Sequence, residues 1–260
     1  MIKKVVIIRG GGDLATGVAV RLARSGIRVI VTELAKPMSV RRMVSCSEAV
    51  YTGRLEIEDT LALRVDTFNE ALETSGPKLI PVLVDPEMQK IQFDVVDAVI
   101  DARLLKRDVK YELDEKPLIV GLGPNFEAKQ NCHFAIETER GHDLGKVIRQ
   151  GSSRTDTGLP DGDPRRVLRA PCDGTIRLIK DIGEHVEAGN PVAAIGDTQV
   201  RAIIGGMIRG LIHDGSELFA GVKIGDIDPR NKRTYCFTIS DKAYAIGGGV
   251  LEGLMEVWNR

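Results

Sequence analysis

The chain has 260 residues, of which 43% are apolar and 28% charged, with a formal net charge of −1. This is the composition of a globular protein, and the near-zero charge excludes a polyelectrolyte that binds nucleic acid along its whole surface. No apolar run approaches the roughly 20 residues that span a bilayer. The first residues enter a strand without a signal-peptide layout, so the expected location is cytoplasmic, with no membrane and no nucleic-acid partner. Cys46, Cys132, Cys172 and Cys236 are far apart in sequence, which argues against a disulfide framework. The four histidines lack the spacing of a helical zinc site, and no metal is expected.

In chain order, Ile2–Ile8 reads as a buried strand that runs into Gly10-Gly11-Gly12-Asp13. Leu14, Ala15, Val18, Ala19, Leu22 and Ala23 then recur at helical spacing, and Ser25-Gly26 ends that helix. Residues 28–32 form a second apolar strand with Glu33 at its carboxyl end. Gly10, Gly12 and Ala15 fit G-x-G-x-x-G/A between a strand and a helix, and Glu33 stands where a carboxylate would meet ribose hydroxyls. Such a turn brings backbone amides close to a phosphate. Glu33 disfavours a 2′-phosphate, so NAD is preferred to NADP if the ligand is a nicotinamide. A tight strand–helix turn without any nucleotide is the structural alternative.

Arg41 and Arg42 follow a Pro37 loop and are candidates for a bidentate phosphate clamp, or else a solvated basic face. Further apolar runs, 79–84, 98–100, 118–120 and 134–136, alternate with polar segments. Residues 1–150 are therefore expected to form a Rossmann-like, doubly wound parallel sheet with its crevice at the carboxyl ends of the strands. A second glycine turn, Gly121-Leu122-Gly123, should lie at that same edge, either as part of the site or as an ordinary βα loop. The stretch 132–142 gathers Cys132, His133, Glu137, Arg140 and His142. As a strand it would place Cys132, Phe134 and Ile136 on one face and His133 and Glu137 on the other. Cys132 and His133 are the first catalytic candidates, Cys132 as a thiol nucleophile or simply a buried cysteine.

Residues 151–166, rich in Gly, Ser, Asp, Pro and Arg, read as a linker or lid. Across 167–260 the pattern turns to short β segments. Gly174-Thr-Ile-Arg177 matches Gly206-Met-Ile-Arg209, and Gly183–Gly189 matches Gly215–Gly221, at a constant offset of 32 residues. The pattern resembles the biotinyl/lipoyl-type barrel-sandwich fold, whose modified lysine lies in the hairpin between the halves. Residues 191–201 contain no lysine, which argues against biotin or lipoate. The run Gly247-Gly248-Gly249 reads as a hinge ahead of a short helix that returns to the first domain.

Several longer segments carry a wider resemblance: Arg-Gly-Gly-Gly-Asp-Leu-Ala-Thr-Gly (9–17), Thr-Glu-Leu-Ala-Lys-Pro (32–37), the 40–53 segment with Arg41 and Arg42, Gly-Leu-Gly-Pro-Asn-Phe (121–126), 136–145 and 223–230. Together they resemble the YqeB-type proteins of the selenium-dependent molybdenum hydroxylase system. The resemblance implies an accessory, chaperone-like role in maturing molybdenum hydroxylases, with the client enzyme and other maturation proteins as partners and homo-oligomers allowed. Molybdenum cofactor, a pterin bearing phosphate or a nucleotide, is the favoured ligand. Gly10, Gly11, Gly12 and Asp13 would hold its phosphate, with Glu33, Arg41, Arg42, Gly121, Gly123, His133, Glu137, Arg140 and His142 completing the crevice. The alternatives are an NAD-dependent oxidoreductase with His133 or His142 as proton donor, and a docking scaffold without ligand.

Overall fold

The computed structural model describes residues 4–105, 109–113, 117–154 and 162–259. Two compact units are present. The first comprises Met1–Pro37, Ser45–Thr157 and Ile239–Arg260, and the second Met38–Val44 and Gly158–Thr238. The division differs from the expected 1–150, 151–166 and 167–260 at two points: the C-terminal segment belongs to the first unit, and Met38–Val44 leaves it for the second. The linker or lid expected at 151–166 lies partly outside the described residues, at 155–161.

The first unit opens with β1 (Val5–Arg9), α1 (Asp13–Arg24) and β2 (Arg28–Glu33). There follow α2 (Ala49–Thr52), β3 (Arg54–Ile57), β4 (Thr60–Val65), α3 (Phe68–Thr74) and β5 (Leu79–Val84). Next come β6 (Ala98–Asp101), β7 (Leu118–Leu122), β8 (Glu127–Ala128), β9 (Phe134–Ile136), β10 (Val147–Ile148) and β11 (Gly151–Ser152), and the C-terminal α4 (Asp241–Trp258) completes the unit. Nine of the strands form one sheet in the order β10-β9-β7-β6-β1-β2-β5-β4-β3. Strands β9, β7, β6, β1, β2, β5 and β4 run parallel to their neighbours. The edge strands β3 and β10 are antiparallel to β4 and β9. Every residue of β1 is buried, as a strand between two parallel neighbours requires.

These pairings overturn the expected fold class. The sheet is mixed, not a doubly wound parallel one. An antiparallel hairpin, β3–β4, stands between β2 and β5 in sequence, and the described residues joining β6 to β7 and β7 to β9 form no helix. Helical cover comes instead from the chain terminus, where α4 packs along α1. Close approach explains the glycines there. A Cβ on Gly17 would lie 2.5 Å from Ala243 Cβ, and one on Gly249 would lie 2.0 Å from the Gly145 carbonyl oxygen. The glycine run expected to be a hinge is thus the middle of an 18-residue helix, capped by Ser240, whose side chain accepts from the Ala243 amide at 3.2 Å.

The second unit contains β12 (Val167–Arg169), β13 (Gly174–Leu178), β14 (His185–Val186), β15 (Pro191–Ile195) and β16 (Thr198–Arg201). It continues with β17 (Gly206–Leu211), β18 (Glu217–Leu218) and β19 (Lys223–Asp228). They form two four-stranded sheets, β12-β19-β17-β14 and β16-β15-β13-β18, in which every pairing is antiparallel. The barrel-sandwich expectation is replaced by this pair of antiparallel sheets. The sequence repeat is visible within them: β13, β14 and β15 begin at Gly174, His185 and Pro191, and β17, β18 and β19 begin 32 residues later at Gly206, Glu217 and Lys223. The core keeps the same offset, pairing Ile176 with Ile208, Val186 with Leu218, Val192 with Ile224 and Ile195 with Ile227. Among the described residues, no helix is long and apolar enough to cross a membrane.

Candidate ligand site at the carboxyl edge of the parallel strands

The glycine turn Gly10–Gly12 joins the carboxyl end of β1 to the first turn of α1. Gly10 has φ +88°, a backbone state that disfavours a side chain, and a Cβ there would meet Arg103 at 3.3 Å. The Gly11 amide donates to Glu33 Oε2 at 2.6 Å, and the Gly11 carbonyl accepts from the Ser47 amide at 2.9 Å. Thr16 Oγ1 donates to the Gly12 carbonyl at 2.9 Å and accepts from the Cys46 amide at the same distance. The turn is therefore clasped from two sides, by Glu33 and by the buried segment Ser45–Glu48.

Glu33 is buried, and its other oxygen accepts from the Leu34 amide at 2.7 Å. Burial pushes its carboxyl above the usual range, against the pull of these two amides. In this arrangement Glu33 shapes the glycine turn.

The edge itself is continuous. In the sheet register Arg9 pairs with Asp101, and Asp101 pairs with Gly121. Strand order reverses between β1 and β6: β2 and β5 lie to one side of β1, and β6, β7 and β9 to the other. Open sheets with parallel strands bind ligands at such a reversal, outside the carboxyl ends.

Four side chains form a network at this point. Arg9 Nη1 donates to Tyr111 Oη at 2.8 Å, and Tyr111 Oη donates to Asp101 Oδ2 at 2.8 Å. Arg103 grips Asp101 through Nε at 3.0 Å and Nη2 at 2.5 Å. Asp101 and Arg9 are both buried. The Arg9 Nη2 group donates to the Pro86 carbonyl at 2.7 Å, while its buried Nε has no hydrogen-bond partner among the described residues. Burial, followed by the charge of Asp101, pushes the Tyr111 hydroxyl up to about 12, so it stays a donor at neutral pH. Sequence reasoning missed Arg9, Asp101, Arg103 and Tyr111. The signal for three of them was present: Arg9 adjoins the glycines, and Asp101-Ala102-Arg103 ends an apolar run. Tyr111 carried none.

The second glycine turn lies at the same edge, but packing accounts for its glycines. A Cβ on Gly121 would lie 2.0 Å from the Phe126 ring, and one on Gly123, at φ +79°, would lie 2.9 Å from Thr138 Oγ1. Of the two readings of Cys132, its surroundings fit the buried cysteine and not the thiol nucleophile. It is fully buried in a core cluster with Phe126, Ile119 and Ala135, and burial pushes its thiol up to about 12. It shares that cluster with Ala135, while Phe134 and Ile136 lie toward Gly253 and Gly249 of α4. The expected alternation fails because a turn at residues 129–131, with Lys129 at φ +77°, precedes β9.

His133 and Glu137 serve separate backbones. His133 Nδ1 accepts from the Ile119 amide at 2.9 Å, whereas the buried Glu137 accepts from the amides of Glu139 at 2.7 Å and Arg154 at 2.9 Å. Arg140 makes a bidentate pair with Asp241 at 2.7 and 3.0 Å, and His142 is exposed. Arg41 and Arg42 belong to the second unit. There Arg41 Nη2 donates to the carbonyls of Tyr235 and Thr238 at 3.0 and 3.1 Å. Arg42 pairs with Asp181 and donates to the Leu211 carbonyl at 3.2 Å. Among the described residues, no group of three or more His, Cys, Asp or Glu side chains could hold a metal ion.

No family model matches the chain. Among solved structures it is similar to the apo form of the ectoine utilization protein EutE (DoeB) from Ruegeria pomeroyi, at 11% identity and a TM-score of 0.27, over 86% of this chain and 85% of that one. It is also similar to an aspartoacylase family protein from Mesorhizobium loti, at 10% identity and a TM-score of 0.26, over 86% of this chain and 84% of that one. A curated protein to which it is similar is the uncharacterized protein YqeB of Escherichia coli (strain K12), 41% identical over 261 residues. That match takes in 99% of this chain and 48% of the relative, so the chain spans about half the relative's length. The chain is thus similar to YqeB over about half of that protein's length.

Proposed function

We propose that this protein is an accessory factor in the maturation of selenium-dependent molybdenum hydroxylases, and that it works by binding a phosphorylated or dinucleotide ligand, with molybdenum cofactor as the leading candidate. One observation carries the binding half of this reading. The glycine turn opens α1 beside the point where strand order reverses, with the buried Arg9 and the half-buried Arg103 at the same edge. Phosphate fits these groups: guanidinium donors, a helix N-terminus and a turn whose Gly10, at φ +88°, disfavours a side chain. The orphaned Nε of Arg9 is a donor still lacking an acceptor. The maturation half rests on the sequence resemblance, which runs through both units.

In this reading the end of the turn at Gly12 and Asp13, together with Arg103, holds the phosphate, the amides of Gly10 and Gly11 being committed to the Thr32 carbonyl and to Glu33. Glu33 positions the turn through the Gly11 amide, and Tyr111 and Asp101 fix the two arginines. Binding is preferred to catalysis because the one candidate nucleophile, Cys132, is enclosed and its thiol is kept protonated. Gly12 is the residue to change. Its φ of −65° and ψ of −180° suit any side chain, so Gly12→Leu should fold while covering the amides of the first turn. Calorimetric titration with ADP, NAD and molybdenum cofactor should show saturable binding of at least one, lost in the variant. Equal affinity in the variant would remove the glycine turn from the site.

A further inference from the structure

The two halves of the repeat in the second unit differ at one matched pair. Arg177 in β13 sits in regular register opposite Ala194 and is exposed. Its counterpart 32 residues on, Arg209 in β17, lies where the register against β19 shifts between Ile208 and Gly210, and only 15% of its side chain is exposed. A bulge re-aims the side chain it carries. Here it turns a surface arginine of one half into a largely buried one in the other.

The surroundings of Arg209 are cationic. Its Nε donates to the Tyr235 carbonyl at 3.3 Å, the oxygen that also accepts from Arg41 at 3.0 Å. Asp228 Oδ2 lies 3.8 Å from that Nε, but the same carboxylate is gripped by Arg230 through Nε at 2.9 Å and Nη2 at 2.6 Å. The neighbouring carboxylate, Asp226, is taken by Arg166 at 2.7 and 2.9 Å. Arg230 also stands over the Tyr235 ring at 4.7 Å, with Lys232 at 5.2 Å. Among the described residues, Nη1 and Nη2 of Arg209 make no hydrogen bond, leaving the bidentate edge of the guanidinium uncommitted. Burial and then the charge of Arg41 pull its pKa below the ordinary arginine value, against the opposing charges of Asp226 and Asp228. A largely buried cation beside Arg41 and Arg230, whose nearest carboxylates Asp228 and Asp226 are already bound by Arg230 and Arg166, is stabilised by a further anion.

We propose that Arg209, with Arg41 and Arg230 beside it, forms a second anion site, distinct from the glycine turn, that takes the phosphate or diphosphate group of a soluble ligand. The planar fork of Arg209 matches two phosphate oxygens, and its neighbours supply field and further donors. Tyr235 holds the arrangement through its carbonyl and ring.

The test is calorimetric titration of the 260-residue chain with inorganic pyrophosphate. A Gly12→Leu background removes the glycine turn, so this site is read whether or not that turn binds ligand. Saturable binding that weakens by at least about tenfold in Arg209→Gln supports the proposal. Arg230→Gln, a change at a half-exposed side chain, guards against misfolding of the more buried variant. It should weaken binding to a similar degree, because Asp228 is then released onto Arg209. Absence of saturable binding in the Gly12→Leu background, or unchanged affinity in either arginine variant, would overturn the site.

Discussion

Replacement of Gly17 by alanine tests the packing that sets α4 against α1. The added methyl would lie 2.5 Å from Ala243 Cβ and 2.8 Å from the carbonyl carbon and oxygen of Ala243. Ordinary contact begins at 3.4 Å, so the two helices must part by about 1 Å there. Because two of the three clashes are with backbone, side-chain rotation cannot relieve them. Overpacking costs about 1–3 kcal/mol, and a clash against backbone, which cannot rotate away, falls in the upper part of that range, about 2–3 kcal/mol. Helix propensity returns about 1 kcal/mol when alanine replaces glycine. The net loss is placed at about 1–2 kcal/mol, a fall in midpoint of about 2–8 °C for a unit of this size. Gly248→Ala is the matched control in the facing helix: its methyl would find only Arg21 Nη1, at 3.8 Å. With no clash to offset propensity, it should gain about 0.5–1 kcal/mol. Thermal unfolding followed by circular dichroism measures both. Gly17→Ala matching or exceeding the wild-type midpoint would refute the close-packing argument.

Three other outcomes are expected. Ser240→Ala removes the cap of α4 and should cost about 1 kcal/mol in denaturant unfolding. Native alkylation read by intact mass should label the half-buried Cys172 first. Cys46, pushed up to about 11 by burial, Cys132, pushed up to about 12, and the buried Cys236 should react only after unfolding. At Asp228, burial raises the carboxyl but the bonds from Arg230 outweigh it and bring it down to about 2. Its folded value lies below an unfolded value of about 3.9, so the stability it confers is present above about pH 4 and is lost as pH falls through about 2. Asp228→Asn should flatten acid unfolding across that window.

What the sequence disclosed follows from range. The strand–glycine–helix opening was legible because its determinants are local. The apolar run, the turn and the helical period are contiguous, and the observed β1, α1 and β2 lie within a few residues of the expected spans. The repeat was legible because identical spacing needs no tertiary knowledge. The hairpin β3–β4 carries charged residues at Arg54, Glu56, Glu58 and Asp59, which hid its alternation. The glycine run at 247–249 was misread because glycine usually breaks helices. Here it allows one helix to approach another backbone, a fact residing in Gly17 and Gly145, more than a hundred residues away.

The candidate site divides in the same way. Gly10–Asp13 came from a motif, and its place at the sheet edge follows from β1. Glu33 was found by spacing, but its bond to the Gly11 amide was not, because spacing gives position and not side-chain direction. Arg41 looked like a partner of the glycine turn because it is near in sequence. The chain instead delivers it to the second unit, beside an arginine 168 positions later. Sequence distance was the wrong guide wherever a segment changes units.

The central claim is that the protein holds a phosphorylated or dinucleotide ligand. Native mass spectrometry of the full chain purified from its own host, followed by titration with molybdenum cofactor and with NAD, tests it most directly. The account predicts a retained or tightly taken-up ligand carrying phosphate, with molybdenum cofactor preferred and with uptake reduced in Gly12→Leu. A chain that retains nothing and takes up neither compound would contradict it and leave a docking scaffold in its place.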